Sequence, residues 1–358
     1  MWQIFVIFAV LLAFIFAGFP IYMALILTTI SFMIGMNLPL NLVVIKMFGS
    51  VNSFSLMAIP FFIIAGNLMA KSDITDKIVN LSDALVGQFK GGLGHVNIVA
   101  SMFFGGIQGS GIADASAIGG ILIPAMEKQG YDKDYAVAIT AGSSMLSPII
   151  PPSIAMILYS YYTEIPVSKL FLGGYGPGVL IAILQMIWSR IEYSRRSYNI
   201  PTRKFAIKYL CHTLAHSIGA LIMPIIIIGG IISGIVTATE SGVLAIAYGL
   251  IYGFLISKKL KVKDLIDVLK DSAITTAVVM ITIAATGALS NVLVRMRFQS
   301  NVFEYVVHTI GSPALGTLFL MFVIFILGMF LDPTVLIAML APTILAIGNA
   351  FGFDPIHY

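Results

Sequence analysis

The chain has 358 residues, of which 59% are hydrophobic and 10% charged, with a mean hydropathy of +1.00. A soluble domain carries about 25% charged residues, so this composition excludes one and predicts a polytopic, all-α membrane protein. The net charge of +4 comes from Lys and Arg in short loops between apolar runs, a mark of membrane topology rather than of nucleic-acid binding. The single cysteine, Cys211, rules out an internal disulfide and a cysteine-rich metal site.

Two apolar runs, Trp2–Ala17 and Ile21–Met36, are split by Gly18-Phe19-Pro20, which reads as a tight cytoplasmic turn or a kink, the turn being favoured. The first run has no basic n-region or cleavage site and reads as a retained helix, not a signal peptide. Asn37–Asn52 reads as a loop or short interfacial segment, and Ser53–Ala70 as a span kinked at Pro60. Between Asp73 and Lys90, the residues Ile74, Ile78, Leu81, Ala84, Leu85 and Phe89 recur at helical spacing. That pattern predicts an amphipathic helix lying along the membrane interface.

The next stretch organises the chain. Its apolar pieces, Val96–Phe104, Ile112–Met126 and Tyr135–Leu146, are each shorter than the roughly 20 residues a straight span needs. They are interrupted at Gly105–Gly111 and again at Ser147-Pro148-Ile149-Ile150-Pro151-Pro152-Ser153. The prediction is a re-entrant hairpin followed by a helix unwound in mid-membrane. Bare backbone at that depth survives only where protein or a water-filled site covers it. Transporters place substrate and ion sites at such breaks.

Leu170–Ile191 reads as a span, and Arg190–Lys208 as a basic cytoplasmic linker. Leu214–Ile235 and Ser241–Ile256 follow as spans around Val236-Thr237-Ala238-Thr239-Glu240, then a lysine-rich loop from Lys258 to Lys263 and a span over Ala273–Val294. Phe298–Ile310 is amphipathic, and Leu315–Phe330 and Thr334–Ala350 flank a second break at Gly328–Pro333. Both halves thus run three spans, an interfacial helix and a broken hairpin. Gly130-Tyr131-Asp132 follows the first hairpin and Gly352-Phe353-Asp354 the second. By this symmetry a second broken helix is expected beyond Tyr358. With the N-terminus outside, most basic residues fall inside and the hairpins open to opposite faces, as in inverted-repeat transporters. The expected division is 1–91 (scaffold and interfacial arm), 92–165 (first hairpin and broken helix), 166–208 (last span and linker), 209–311 (second scaffold and arm) and 312–358 (second hairpin).

Ionisable and polar residues inside apolar segments are the functional candidates. Asp114 is either a cation ligand or a helix N-terminal charge favoured by the dipole. Ser110, between Gly109 and Gly111, offers a hydroxyl and exposed amides. Ser143, Ser144 and Ser147 precede Pro151-Pro152-Ser153, where prolines lack N–H groups and leave carbonyls free for a cation. Asp332 is a ligand at the second tip or an N-cap. Glu240 reads as a cap, and the His212/His216 pair as interfacial. Arg295 lies outside, against the positive-inside trend, either to meet a carboxylate or to snorkel to headgroups. There is no GxxxxGK[ST] loop, no HExxH and no catalytic dyad, so neither ATP hydrolysis nor enzyme chemistry is expected. An ion channel is the rival reading, less suited to oppositely oriented hairpins.

The strings Gly109-Ser110-Gly111, Ile123-Pro124 to Gly130-Tyr131-Asp132, Ile150-Pro151-Pro152-Ser153, Thr237-Ala238-Thr239-Glu240 and Leu327-Gly328-Met329-Phe330-Leu331-Asp332-Pro333 carry a resemblance. Together they resemble the large membrane subunit of tripartite ATP-independent periplasmic (TRAP) transporters. The usual Ser-Gly-Thr-x-Gly run before the prolines is altered, with Ser144, Met145 and Ser147 in place of Gly, Thr and Gly. The resemblance implies an elevator-type, sodium-coupled importer of a carboxylate, such as a C4-dicarboxylate or sialic acid, in the bacterial inner membrane. Its implied partners are a small four-helix membrane subunit, a periplasmic binding protein and lipid. Na+ is the only cofactor implied. Substrate ligands would be Ser110, Ser153, Arg295 and Asp332. Sodium ligands would be Gly109, Ser110, Gly111, Ser143, Ser144, Pro151, Gly328 and Asp332. An anion symporter of the same architecture without a binding protein is the alternative.

Overall fold

The computed structural model describes residues 2–196, 198, 200 and 206–357. Among the described residues the chain is all α-helical. The first half holds α1 (Trp2–Phe16), α2 (Ile21–Gly35), α3 (Asn41–Val51), α4 (Ala58–Lys71), α5 (Ile74–Val86), α6 (Gly92–Gln108), α7 (Gly111–Lys128), α8 (Lys133–Ser144), α9 (Ile154–Thr163) and α10 (Val167–Arg195). The second holds α11 (Ile207–Ile232), α12 (Ala238–Ile251), α13 (Val262–Arg295), α14 (Phe298–Glu304), α15 (Pro313–Gly328) and α16 (Pro333–Ala350). Short π-helical segments, Tyr252–Ile256 and Tyr305–Ile310, extend α12 and α14. Among the described residues five helices are long and apolar enough to cross a membrane: α10, α11, α12 with its extension, α13 and α16. The protein is therefore a polytopic helical membrane protein.

Four features depart from the sequence reading. The segment expected as one span over Ser53–Ala70 kinked at Pro60 bends instead by 68° at the break after Val51, and Pro60 sits in the first turn of α4, where its missing N–H breaks no helical bond. Asn37–Asn52 contains a helix of 11 residues, α3, rather than only a loop. Helix α13 begins at Val262, well before the expected Ala273. Hydropathy marks only the apolar part of a helix, whereas Lys263, Asp264, Asp267 and Lys270 do not interrupt helical hydrogen bonding. Asp264 also accepts from the backbone N–H of Lys261 at 2.9 Å, which secures that start. Phe89 was expected on the buried face of α5; it lies past the helix end, exposed, with its ring edge against His95. Arg203 and Lys204 of the linker lie outside the described residues.

The chain divides into two compact units. One comprises residues 1–56, 158–165 and 274–358. There Gly18, at φ +87°, makes the α1–α2 turn, and Ile7, Leu11, Leu25, Leu289, Val292 and Val335 are buried together.

The other unit comprises residues 57–157 and 166–273. A Cβ on Gly242 of α12 would lie 2.7 Å from the Cβ of Phe61, so the missing side chain lets α12 and α4 pack closely. Helix α5 buries Ile74, Ile78, Leu81 and Ala84, as its periodicity predicts. Its polar edge is tied to the end of α12: Lys77 Nζ donates to the Tyr252 hydroxyl at 2.5 Å, which donates to Asp73 at 3.1 Å. Helix α12 starts with a complete capping box between Thr237 and Glu240, the role expected of Glu240.

The turn between α7 and α8 is held by charge and aromatic packing. Arg196 donates to Asp132 at 3.1 Å, to Asp134 at 2.9 Å and to Glu192 at 2.9 Å. The Tyr198 hydroxyl donates to Asp132 at 2.7 Å. The rings of Tyr131, Tyr135, Tyr193 and Tyr198 cluster beneath. The Tyr198 hydroxyl and the Arg196 guanidinium hold the Asp132 carboxyl below its ordinary range. A carboxyl depressed on folding contributes stability above its unfolded pKa and loses it as pH falls through the folded value. Thermal unfolding of Arg196→Gln should therefore show a lower midpoint than wild type at pH 7, and the gap should narrow as the pH is taken below about 4. A constant gap across that range would detach Asp132 from the clasp.

Candidate functional site

The site is built where two chain breaks meet. Helix α6 ends on Gly109 in the left-handed region at φ +63°, its N–H bonded to the Gly105 carbonyl at 3.0 Å. Ser110 is extended and caps α7 by accepting from the Ala113 N–H at 3.5 Å. Opposite, α8 stops at Ser144 and the chain unwinds until α9 begins at Ile154. Three prolines in that interval, Pro148, Pro151 and Pro152, cannot donate a helical hydrogen bond. Ser153 closes the interval: its hydroxyl donates to the Pro148 carbonyl at 2.5 Å and accepts from the Met156 N–H at 3.3 Å.

Glycine lets the two breaks touch. A Cβ on Gly109 would lie 2.5 Å from the Pro152 carbonyl oxygen and 3.2 Å from the Ile154 nitrogen. One on Gly111 would lie 3.0 Å from the Ser144 carbonyl oxygen, and one on Gly105 2.6 Å from the Ser147 Cα. Four helix ends converge there: the C-termini of α6 and α8, and the N-termini of α7 and α9. Helix N-termini favour anions and C-termini favour cations, so the junction offers both kinds of subsite.

A buried polar network lies behind the tip. The Ser143 hydroxyl donates to Asn97 Oδ1 at 2.8 Å and lies 3.2 Å from the Ser101 hydroxyl. Asn97 Nδ2 donates to Thr140 at 2.7 Å. The Ser144 hydroxyl bonds back to the Ala141 carbonyl at 2.9 Å. The hydroxyls of Ser143 and Ser144 are thus engaged away from the tip. Asp114, one turn into α7, is completely buried beside Ser101 and Ser147. Alongside α7, the helices α4 and α5 leave a cleft of about 380 Å³ of mixed lining, with Asn67, Ser72, Thr75, Asp76 and Ser116 beside Ala113 and Ile121.

The first tip thus brings together Gly109, Ser110, Gly111, Ser144, Pro151 and Ser153, with Ser143 behind them. In the other unit, Gly328 ends α15 and Asp332 caps α16, accepting from the Thr334 N–H at 2.8 Å. Arg295 is the last residue of α13, exposed, its Nε donating to Asn291 at 3.3 Å. Sequence reasoning passed over Asn97, Ser101 and Thr140. The available signal was helical spacing of polar residues in apolar helices: Asn97 and Ser101 on α6, with Thr140, Ser143 and Ser147 facing them.

Residues 6–358 match the family described as "Tripartite ATP-independent periplasmic transporter, DctM component". The chain is 32% identical to the sialic acid TRAP transporter large permease protein SiaM of Vibrio cholerae, over 97% of this chain and 81% of the relative. It is 32% identical to the 2,3-diketo-L-gulonate TRAP transporter large permease protein YiaN of Escherichia coli, over 95% and 80%. To the C4-dicarboxylate TRAP transporter large permease protein DctM of Rhodobacter capsulatus it is 28% identical, over 99% and 83%.

The tip contact can be tested without a substrate. Gly109→Ala puts a side chain on a left-handed residue and against the Pro152 carbonyl. The strain and overpacking together should cost roughly 2–5 kcal/mol. Gly120→Ala, whose Cβ would meet nothing within 4 Å, should stay within about 0.5 kcal/mol of wild type. Unfolding of the purified proteins in detergent measures both, and equal stabilities would mean the tip does not press on the broken helix.

Proposed function

The chain belongs to the DctM-component family of tripartite ATP-independent periplasmic transporters, and we propose that it is the large permease of a sodium-driven importer of a small organic acid. The observation that carries this reading is the meeting of four helix ends at Gly109–Gly111 and residues 144–154. A substrate carboxylate would sit at the N-termini of α7 and α9, with Ser110 and Ser153 as hydroxyl partners. Sodium would sit on the carbonyl side, held by oxygen from Gly109, Ser110, Gly111, Ser143, Ser144 and Pro151. Oxygen-only donors suit a hard cation. Since the Ser143 and Ser144 hydroxyls are already engaged, their part is played by backbone carbonyls.

In this reading Gly328 and Asp332 form the matching second tip, with Asp332 serving sodium or a substrate hydroxyl. In its own unit, Arg295 is the cation that would meet a carboxylate on the outer side. The relatives' names favour a small organic anion: sialic acid, diketogulonate and C4-dicarboxylates carry a carboxylate, and isethionate a sulfonate. The partners would be a small membrane subunit of four helices and a periplasmic binding protein that delivers substrate at the inner membrane. The hairpins and broken helices would then move as an elevator against the remaining helices.

Two measurements follow. Proteoliposomes holding the full assembly should accumulate radiolabelled succinate, sialic acid or diketogulonate, whichever the cognate binding protein takes, only under an inward sodium gradient. Equal accumulation in potassium with a proton gradient alone would remove sodium from the mechanism. In the same assay Arg295→Ala should lose most uptake while inserting normally, because truncating one partner of a desolvated charge pair typically costs about 2–5 kcal/mol. Unimpaired uptake would return Arg295 to the lipid headgroups.

A further inference from the structure

Near its start, helix α11 carries two imidazoles on one face that the proposed transport site does not use. His212 and His216 are four residues apart on a continuous helix, so their side chains are neighbours one turn apart. Both residues are exposed. Their rings stack, with centroids 4.2 Å apart and planes inclined by 30°. Two nitrogens bound to one tetrahedral ion at about 2.0–2.1 Å lie about 3.3 Å from each other. A small rotation of either side chain therefore brings both rings onto one metal ion.

The His216 ring is already held as ligation needs. Its Nδ1 lies 2.9 Å from the His212 carbonyl oxygen. A carbonyl only accepts, so Nδ1 carries the proton, and a neutral His216 presents its lone pair at Nε2. Metal-ligating histidines are oriented in this way, one ring nitrogen donating to a carbonyl or carboxylate while the other binds the ion. An imidazole that served only lipid headgroups would gain by reaching outward. This one is turned back along its own helix and against its neighbour.

The surroundings set the kind of site. Among the described residues no third His, Cys, Asp or Glu joins the pair. Cys211 is exposed but lies about 100° round the helix from His212, so its thiol does not face the same ion as the two rings. Two protein ligands leave the remaining positions to water, which makes an open, exchangeable site rather than a closed structural one. Imidazole suits borderline ions such as Zn2+, Ni2+ and Cu2+, whereas hard cations take oxygen donors. The pair is thus chemically separate from the proposed sodium subsite.

We propose that His212 and His216 form a bidentate site for a borderline divalent transition-metal ion, which staples the second and third turns of α11. The start of this helix stands to gain from a staple. Ala206 provides no side-chain cap, the first turn has no acidic residue, and Lys208 lies in that turn, where a cation opposes the helix dipole. The dipole acts within the first turn, so an ion held by residues 212 and 216 lies beyond its repulsion.

The test is titration of the full-length protein with Cu2+, after purification without a polyhistidine tag and in nanodiscs of phosphatidylcholine. Electron spin echo envelope modulation counts coordinated imidazoles through their remote nitrogens. Wild type should bind one ion per chain through two imidazoles. His212→Gln and His216→Gln should each leave one imidazole and weaken binding about tenfold or more, because each removes the chelate. Cys211→Ser should change neither property. Zn2+ should displace the Cu2+ and raise the unfolding midpoint of wild type, but of neither histidine variant. A single imidazole in wild type, full affinity in either histidine variant, or a wild-type midpoint indifferent to Zn2+ would overturn the proposal. Loss of binding in Cys211→Ser would also overturn it and make the thiolate the ligand. The imidazole count in wild type decides the matter even if a variant fails to fold. Neither substrate nor sodium enters these readouts, so sodium coupling can stand or fall separately.

Discussion

A peptide group at membrane depth with no hydrogen-bond partner costs several kcal/mol, and the first hairpin is arranged around that constraint. Two chain breaks would each expose such groups. Here they face one another, and each covers the other. The glycines at 105, 109 and 111 make the contact possible, because a Cβ at any of them would press on the opposite strand of chain. Prolines at 148, 151 and 152 reduce the number of donors needing a partner. What remains is a set of carbonyls and helix N-termini with capacity to spare, and that spare capacity is what a ligand site needs.

The network behind the tip supplies rigidity where lipid provides no hydrophobic drive between helices. Interhelical hydrogen bonds and close contacts between small residues hold such bundles. Asn97, Ser101, Thr140 and Ser143 form the bonds, and Gly105 against Ser147 is a close contact. The Ser147 hydroxyl lies beside Asp114. At the other end of the same helices, Arg196 and the tyrosine cluster hold the turn through exposed charge and ring packing. The hairpin is thus pinned at both ends by different means, one dry and polar, one wet and ionic.

Family membership and local geometry speak to different levels of the function. Membership makes the chain a transporter permease. The junction adds chemistry that distinguishes anions from cations by helix polarity. Relatives whose names specify different acids match nearly the whole of this chain at similar identity, so membership alone does not choose among those acids.

The four long spans α10 to α13 and the chain breaks at 105–111, 147–153 and 328–333 were legible in the sequence, because hydropathy and glycine or proline punctuation are local properties. Helices α1 and α2 are shorter than the expected spans, and α16, expected as a hairpin arm, is itself long and apolar enough to cross. Glu240 as a cap and the buried face of α5 were legible for the same reason. Helix α3 and the early start of α13 were not, since charged and mixed segments form helices without a hydropathy signal. Phe89 fitted the period of α5 but fell beyond the helix end. What only the tertiary structure decided is which break meets which, that Ser143 turns into the α6–α8 seam, and that Asp114 is buried beside Ser101 and Ser147. The first two depend on partners 40 residues and more away in the chain, and a one-proton hydroxyl commits itself only when its neighbours are in place.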